Sequence, residues 1–141
     1  NCLIGWEKFL KNTPWFKKSI IGMQEELAYQ DLLGHPDFRL LRDLQRGIVD
    51  LKCASAIRPS YWTQVAAYSW LWNPTAQVDF LGILRLDKVT GEYEYKELSE
   101  PVEILYERDV WLSYLSLYRH RQRVAERSRI ESEQEAYDGV S

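Results

Sequence analysis

Apolar and polar positions alternate over several short stretches in the middle of the chain, and this period of two predicts strands at residues 19–30, 37–41, 48–53, 78–86 and 92–98. Helical spacing brackets and interrupts them. Trp6 and Leu10 share a face four residues apart in a short helix stopped by Pro14. A second helix, 61–72, takes Ser60 as its N-cap and ends at Asn73-Pro74. The third starts at Pro101 and carries Ile104, Leu105, Val110, Leu112, Leu115 and Tyr118 inward. Asp31 to Gly34 reads as a turn, residues 42–47 as a hairpin connection folding about Asp43 and Leu44, and Lys88 to Gly91 as a second hairpin. The fold class predicted is α/β, a central mixed β-sheet flanked by helices, in one domain over 1–141.

The run Ile48-Val49-Asp50-Leu51-Lys52-Cys53 places two opposite charges inside a strand. Alternation puts Asp50 and Lys52 on one face and Val49, Leu51 and Cys53 on the other, so Cys53 is expected to be a small buried hydrophobe. Folding strands 37–41 and 48–53 back on each other sets Asp37 roughly opposite Asp50, where cross-strand side chains stand about 5 Å apart.

Composition adds bounds. With 45% hydrophobic and 28% charged residues, 6 Trp and 9 Tyr, the chain is an ordinary globular domain rich in aromatics. No apolar run approaches the roughly 20 residues of a membrane span. The first residues lack a signal-peptide layout, and without an initiator Met, elements upstream of Asn1 are expected to be missing. Cys2 and Cys53 lie far apart with no metal-ligand spacing, which points to neither a disulfide framework nor a zinc site, and to a reducing cytoplasm. A net charge of -3 excludes a globally basic coat but not a local patch. Arginines 119, 121, 123, 127 and 129, followed by Glu131, Glu133 and Glu135, make the region 119–141 a charged helix end and tail. It is either a solvated end laced with ion pairs or a basic stripe along nucleic acid.

Asp37, Asp50 and an upstream carboxylate, Glu25 or Glu26, form an acidic set with one cation, Lys52. Hard oxygen ligands of this kind suit Mg²⁺ or Mn²⁺, and the carbonyl of Leu51 is a further neutral ligand. Such ions activate water for in-line attack on a phosphodiester, while a lysine orients the water and offsets charge on the phosphate. Arg58 is a candidate phosphate contact, and Tyr61 a candidate stacking partner for an unpaired base.

Three segments together carry a resemblance: Gly34-His35-Pro36-Asp37, then Ile48-Val49-Asp50-Leu51-Lys52, then Gln64-Val65-Ala66-Ala67-Tyr68. In order and spacing they resemble the PD-(D/E)XK nuclease superfamily, in its branch of RecB-like, CRISPR-associated and phage exonuclease domains, over about Met23 to Leu98. The resemblance implies a restriction-endonuclease-like core and a metal-dependent DNA exonuclease of recombination, repair or phage DNA processing. It implies metal ligands at Glu25, Asp37, Asp50 and the Leu51 carbonyl, a catalytic lysine at Lys52, and a strand-positioning pair at Gln64 and Tyr68. Asp stands at position 50 where Glu is commoner in the family, and no histidine precedes Glu25 to serve as the upstream ligand of some RecB-like members. DNA is the implied partner, with a recombination or annealing protein beside it; some relatives form rings, which makes a homo-oligomer a further expectation. The alternative is a catalytically inactive nuclease-like module that grips DNA or a protein.

Overall fold

A two-residue turn at Asp43-Leu44 sets the register of the sheet. Both residues have positive φ, 49° and 67°, the backbone twist that tight hairpins favour. The turn joins β4 (Phe38–Arg42) to β5 (Gln45–Cys53), antiparallel, with Arg42 opposite Gln45 and Phe38 opposite Val49. The computed structural model describes residues 1–75 and 77–140; Ala76 and Ser141, the last residue of the predicted tail, lie outside the described residues.

β5 is the centre of a five-stranded mixed sheet of order β1-β4-β5-β6-β7, with β1 at Ile20–Met23, β6 at Phe80–Leu86 and β7 at Tyr93–Leu98. The pairing of β5 with β6 is parallel and the other neighbours are antiparallel. A parallel pair needs a crossover, and helix α3 (Pro59–Trp72) supplies it. Helices α1 (Cys2–Asn12) and α2 (Pro14–Ser19) cover one face through Phe9 and Phe16, which pack with Phe38, Leu40, Val49 and Leu84. On the opposite face Ile48, Leu81 and Ile83 meet Val65 and Ala66 of α3 and Ile104 of α4 (Pro101–Asp138). The α/β class predicted from the strand pattern is the one found.

Several boundaries differ for identifiable reasons. The stretch predicted as one strand over 19–30 is two strands in different sheets, because the chain turns at Gln24, with φ of 49°, after β1. Residues 27–34 then form a separate hairpin of β2 (Leu27–Tyr29) and β3 (Leu32–Gly34), so the turn expected at 31–34 is confined to Gln30 and Asp31. This hairpin packs on α3. Tyr29 meets Trp70 edge-on at 4.9 Å, and a Cβ at Gly34 would stand 2.6 Å from Leu71 Cδ1. Pro14 starts the unforeseen α2 as well as ending α1, and α3 has Arg58 at its N-cap position and Pro59 first in the helix, two residues ahead of the expected cap Ser60.

The long helix is less buried than its apolar residues imply. Ile104 and Leu115 are buried, whereas Leu105, Leu112 and Tyr118 are exposed. Arg108 takes the place of an apolar anchor. Its Nε donates to Ser69 Oγ at 3.1 Å and its Nη2 to the carbonyls of Ser69 and Asn73 at 2.8 Å each. The guanidinium thus satisfies the last carbonyls of α3 and opposes the negative end of that helix, while burial lowers its pKa. From position 120 to 140 every residue is exposed. Ion pairs lace this end: Arg119 with Asp31 at 3.0 Å, and Arg129 with both Glu126 and Glu133.

The cysteines depart from expectation. Cys53 is exposed, not buried, and is paired with Cys2 in a disulfide whose Cα atoms are 6.2 Å apart. Position 53 lies at the very end of β5, past the cover of the apolar core, where the first turn of α1 comes back over the strand end.

Leu44 is 89% exposed and buries nothing, yet holds a left-handed conformation that costs a side chain roughly 1–2 kcal/mol. Leu44→Gly is expected to raise the thermal midpoint by about 2–4 °C in calorimetry. An unchanged or lower midpoint counts against this turn geometry.

Candidate active site

β5 outruns β4. Continued by one residue, the register sets Asp37 opposite Asp50, but β4 begins only at Phe38, so the last positions of β5 have β6 on one side and no strand on the other. Asp37 occupies that gap. Its Oδ2 accepts the main-chain N–H of Leu51 at 2.8 Å, and its Oδ1 accepts from Gln24 Nε2 at 3.3 Å. A strand residue's N–H and C=O point to the same side, so the Leu51 carbonyl also projects toward Asp37.

Asp50 and Lys52 share the face covered by α3, as alternation requires. Lys52 Nζ lies 2.8 Å from Asp50 Oδ2 and donates to Gln64 Oε1 at 2.7 Å. Gln64 Nε2 in turn donates to the Tyr68 hydroxyl at 3.1 Å. The amide is therefore oriented at both ends, oxygen to the ammonium and nitrogen to the phenol. The Tyr61 ring centroid sits 5.0 Å from Lys52 Nζ, a cation–π contact that holds the ammonium from its other flank. Asp50, Lys52, Gln64, Tyr68 and Tyr61 thus form one connected set, with Asp37 across the strand gap.

Asp50 is only 3% exposed. Burial first, and then the adjacent Asp37 carboxyl, push its pKa up to about 7, with Lys52 pulling the other way. Its Oδ2 is buried with no hydrogen bond; the ion pair to Lys52 is its nearest compensation. Two crowded carboxyls with one cation between them and α3 leave negative charge that is incompletely offset.

The upstream carboxylates are placed differently. The turn at Gln24 takes Glu25 and Glu26 out of β1, but Glu25 folds back toward the sheet: its carboxyl carbon stands 3.0 Å from where a Cβ at Gly22 would lie, beside Arg39. Glu25 forms an ion pair with Arg39 and its side chain is 51% exposed; Glu26 is exposed. Among the described residues no three His, Cys, Asp or Glu side chains converge in a metal-holding group. Arg58 is exposed at the start of α3, and His35 is exposed in the loop before Asp37. Arg39, 5.1 Å over the Trp72 ring, escaped notice as the partner of Glu25. Period-two spacing from Asp37 was the signal for it, since position 39 must lie on the same face.

No protein-family model and no curated protein matches the chain. Among solved structures it is similar to the crystal structure of LHK-Exo in complex with dAMP, at 13% identity over 87% of this chain and 69% of that one, with a TM-score of 0.48. It is also similar to the crystal structure of SSO0001, at 14% identity, TM-score 0.42, over 79% of this chain and 56% of that one. With both TM-scores below 0.5, neither likeness assigns an activity to this chain.

The raised pKa of Asp50 has a signed consequence for stability. Between its unfolded value, 3.8, and its folded value, about 7, the unfolded chain has released a proton that the folded chain retains. Stability therefore falls as pH rises through that window. In metal-free buffer, Asp50→Asn is expected to gain stability relative to the parent protein from pH 4.5 to pH 8 in urea denaturation. Parallel pH curves for the two proteins contradict the raised pKa.

Proposed function

We propose that this chain is a metal-dependent DNA nuclease that hydrolyses phosphodiester bonds, acting as an exonuclease. The observation that carries the reading is the meeting of Asp37 and Asp50 across the β4–β5 register, with Lys52 drawn against Asp50. The motif order described above supports it, because its three segments converge here through Asp37, Lys52 and Gln64 with Tyr68.

The donor set fits a hard divalent cation. Asp50 offers a buried oxygen compensated by the Lys52 ammonium, Asp37 lies beside it, and the Leu51 carbonyl projects to the same side. Mg²⁺ commonly takes one or two carboxylates and keeps several waters, so two acidic residues suffice for it. Glu25 joins the set only by leaving Arg39. Bound there, Mg²⁺ or Mn²⁺ supplies Lewis-acid polarisation of the phosphate and a water of lowered pKa.

The chain's own residues do the rest. Lys52 presents an ammonium to the phosphoryl oxygen or the attacking water, where charge develops. Gln64 and Tyr61 hold that ammonium in place, and Tyr68 fixes Gln64. Arg58, exposed at the same end of α3, is available to a phosphate. Recombination, repair or phage DNA processing, with a recombination or annealing protein or further copies of the chain as partners, is the setting that belongs to this reading; the Cys2–Cys53 disulfide removes the ground for expecting a reducing cytoplasm.

The engagement of Glu25 with Arg39 favours a second reading, a nuclease-like module that grips DNA without cutting it. End-labelled linear DNA and closed circular DNA, incubated with Mg²⁺, Mn²⁺ or EDTA, separate the two. Mononucleotide release from linear DNA alone is expected, absent in EDTA and lowered about 100-fold or more in Lys52→Ala. DNA retained without product under every condition sinks the enzyme and leaves the binding module.

A further inference from the structure

A groove runs away from Gln64 along α4, flanked first by α3 and then by Leu32 of β3. Its first part, about 360 Å³, is lined by Gln64 and Ala67 of α3 and by Trp111 and Tyr114 of α4. Its second part, about 520 Å³, is lined by the same Trp111 and Tyr114, then by Tyr118 and Arg121, with leucines of β3 and α4 between them. The two shared aromatics make the groove continuous. One end is the glutamine that holds Lys52, and the other end is an arginine.

The aromatic content of this path is not explained by the core. Tyr114 is 63% and Tyr118 55% exposed. Positions 111, 114 and 118 are spaced three and four apart and so lie along one side of α4, about 4.5–6 Å apart along its axis. Arg121 continues the same side one turn later. Arg119 and Arg129 are committed to carboxylates, whereas Arg121 has no ion pair among the described residues.

We propose that this groove is a track for single-stranded nucleic acid, in which Trp111, Tyr114 and Tyr118 stack on successive unpaired bases and Arg121 contacts the backbone. The proposal rests on the nuclease reading for what happens at Lys52, and names the substrate class that reaches it. Exposed ring faces stack only on bases that are out of a duplex. Continuity with Gln64 leads a strand bound there to Lys52. A protein surface docking on the same face would use the rings but has no use for a path that ends at the lysine.

The test is fluorescence anisotropy of a labelled 20-mer of deoxythymidine, and of a hairpin duplex, in EDTA so that nothing is cut. Tyr114→Ala and Tyr118→Ala, both at exposed positions, are expected to raise Kd for the 20-mer about tenfold or more each, with little change for the duplex. Arg121→Gln is expected to weaken binding and to reduce the salt slope by close to one phosphate contact. Absence of binding to the 20-mer, or binding indifferent to all three substitutions, overturns the track. So does a change in sedimentation of the tyrosine variants without any effect on the 20-mer, which identifies a protein interface. Fates of the two readings separate in this design. Binding through Tyr114 with no hydrolysis in Mg²⁺ leaves the track and removes the nuclease, while hydrolysis with binding indifferent to Tyr114 does the opposite.

Discussion

The register between β4 and β5 is the constraint on which the site depends. One residue of slip in a strand exchanges its two faces, so a shifted turn would bury Lys52 among the phenylalanines under α1 and α2. The tight turn at Asp43-Leu44 prevents this by pairing Arg42 with Gln45, and every later pair follows. Because β4 begins at Phe38 while β5 continues to Cys53, a gap opens beside Leu51, and Asp37 fills it with a carboxylate. The acidic pair is a product of unequal strand lengths as much as of residue identity.

Helix α3 does two jobs for that gap. Its inner face, through Val65 and Ala66, packs on β5 and β6, and its next face brings Gln64, Tyr61 and Tyr68 to the lysine. A helix that positions a charged side chain to within a hydrogen bond must itself be held. The hold at its far end is Arg108, whose guanidinium binds the carbonyls that α3 leaves open. The β2–β3 hairpin presses on the same helix through Tyr29 and through Gly34, where a Cβ would crowd Leu71 and Tyr68. Stability and chemistry are therefore coupled through one helix, and disturbance at Ser69 or Gly34 reaches Lys52.

The sheet and the acidic pair were readable from residue pattern alone because both rest on local rules. Alternation placed Asp50 and Lys52 together, and the polar residues and glycine of 42–47 marked the hairpin. What escaped depends on contacts between distant segments. Glu25 is engaged by Arg39 after the chain turns left-handed at Gln24, and nothing in the run Ile20 to Tyr29 marks that break. Cys2 meets Cys53 only because α1 folds back across the end of β5, a return with no signature in spacing. Arg108 sits among apolar neighbours on α4 and looks like an exposed charge until the open carbonyls of α3 are in view. Helical period collects apolar residues along α4, yet every residue from position 120 to 140 is exposed.

The central claim is that Asp37 and Asp50 share a divalent cation that displaces the proton held by Asp50. Isothermal titration calorimetry with Mn²⁺ at pH 6.5, in two buffers of different ionisation enthalpy, reads binding and proton release together. A pKa raised to about 7 requires that binding release a substantial fraction of a proton, so the observed enthalpy must depend on the buffer. The account predicts that dependence and its disappearance, along with the binding, in Asp50→Asn. Failure to bind at millimolar metal contradicts it, as does binding that persists in Asp50→Asn with the same heat in both buffers.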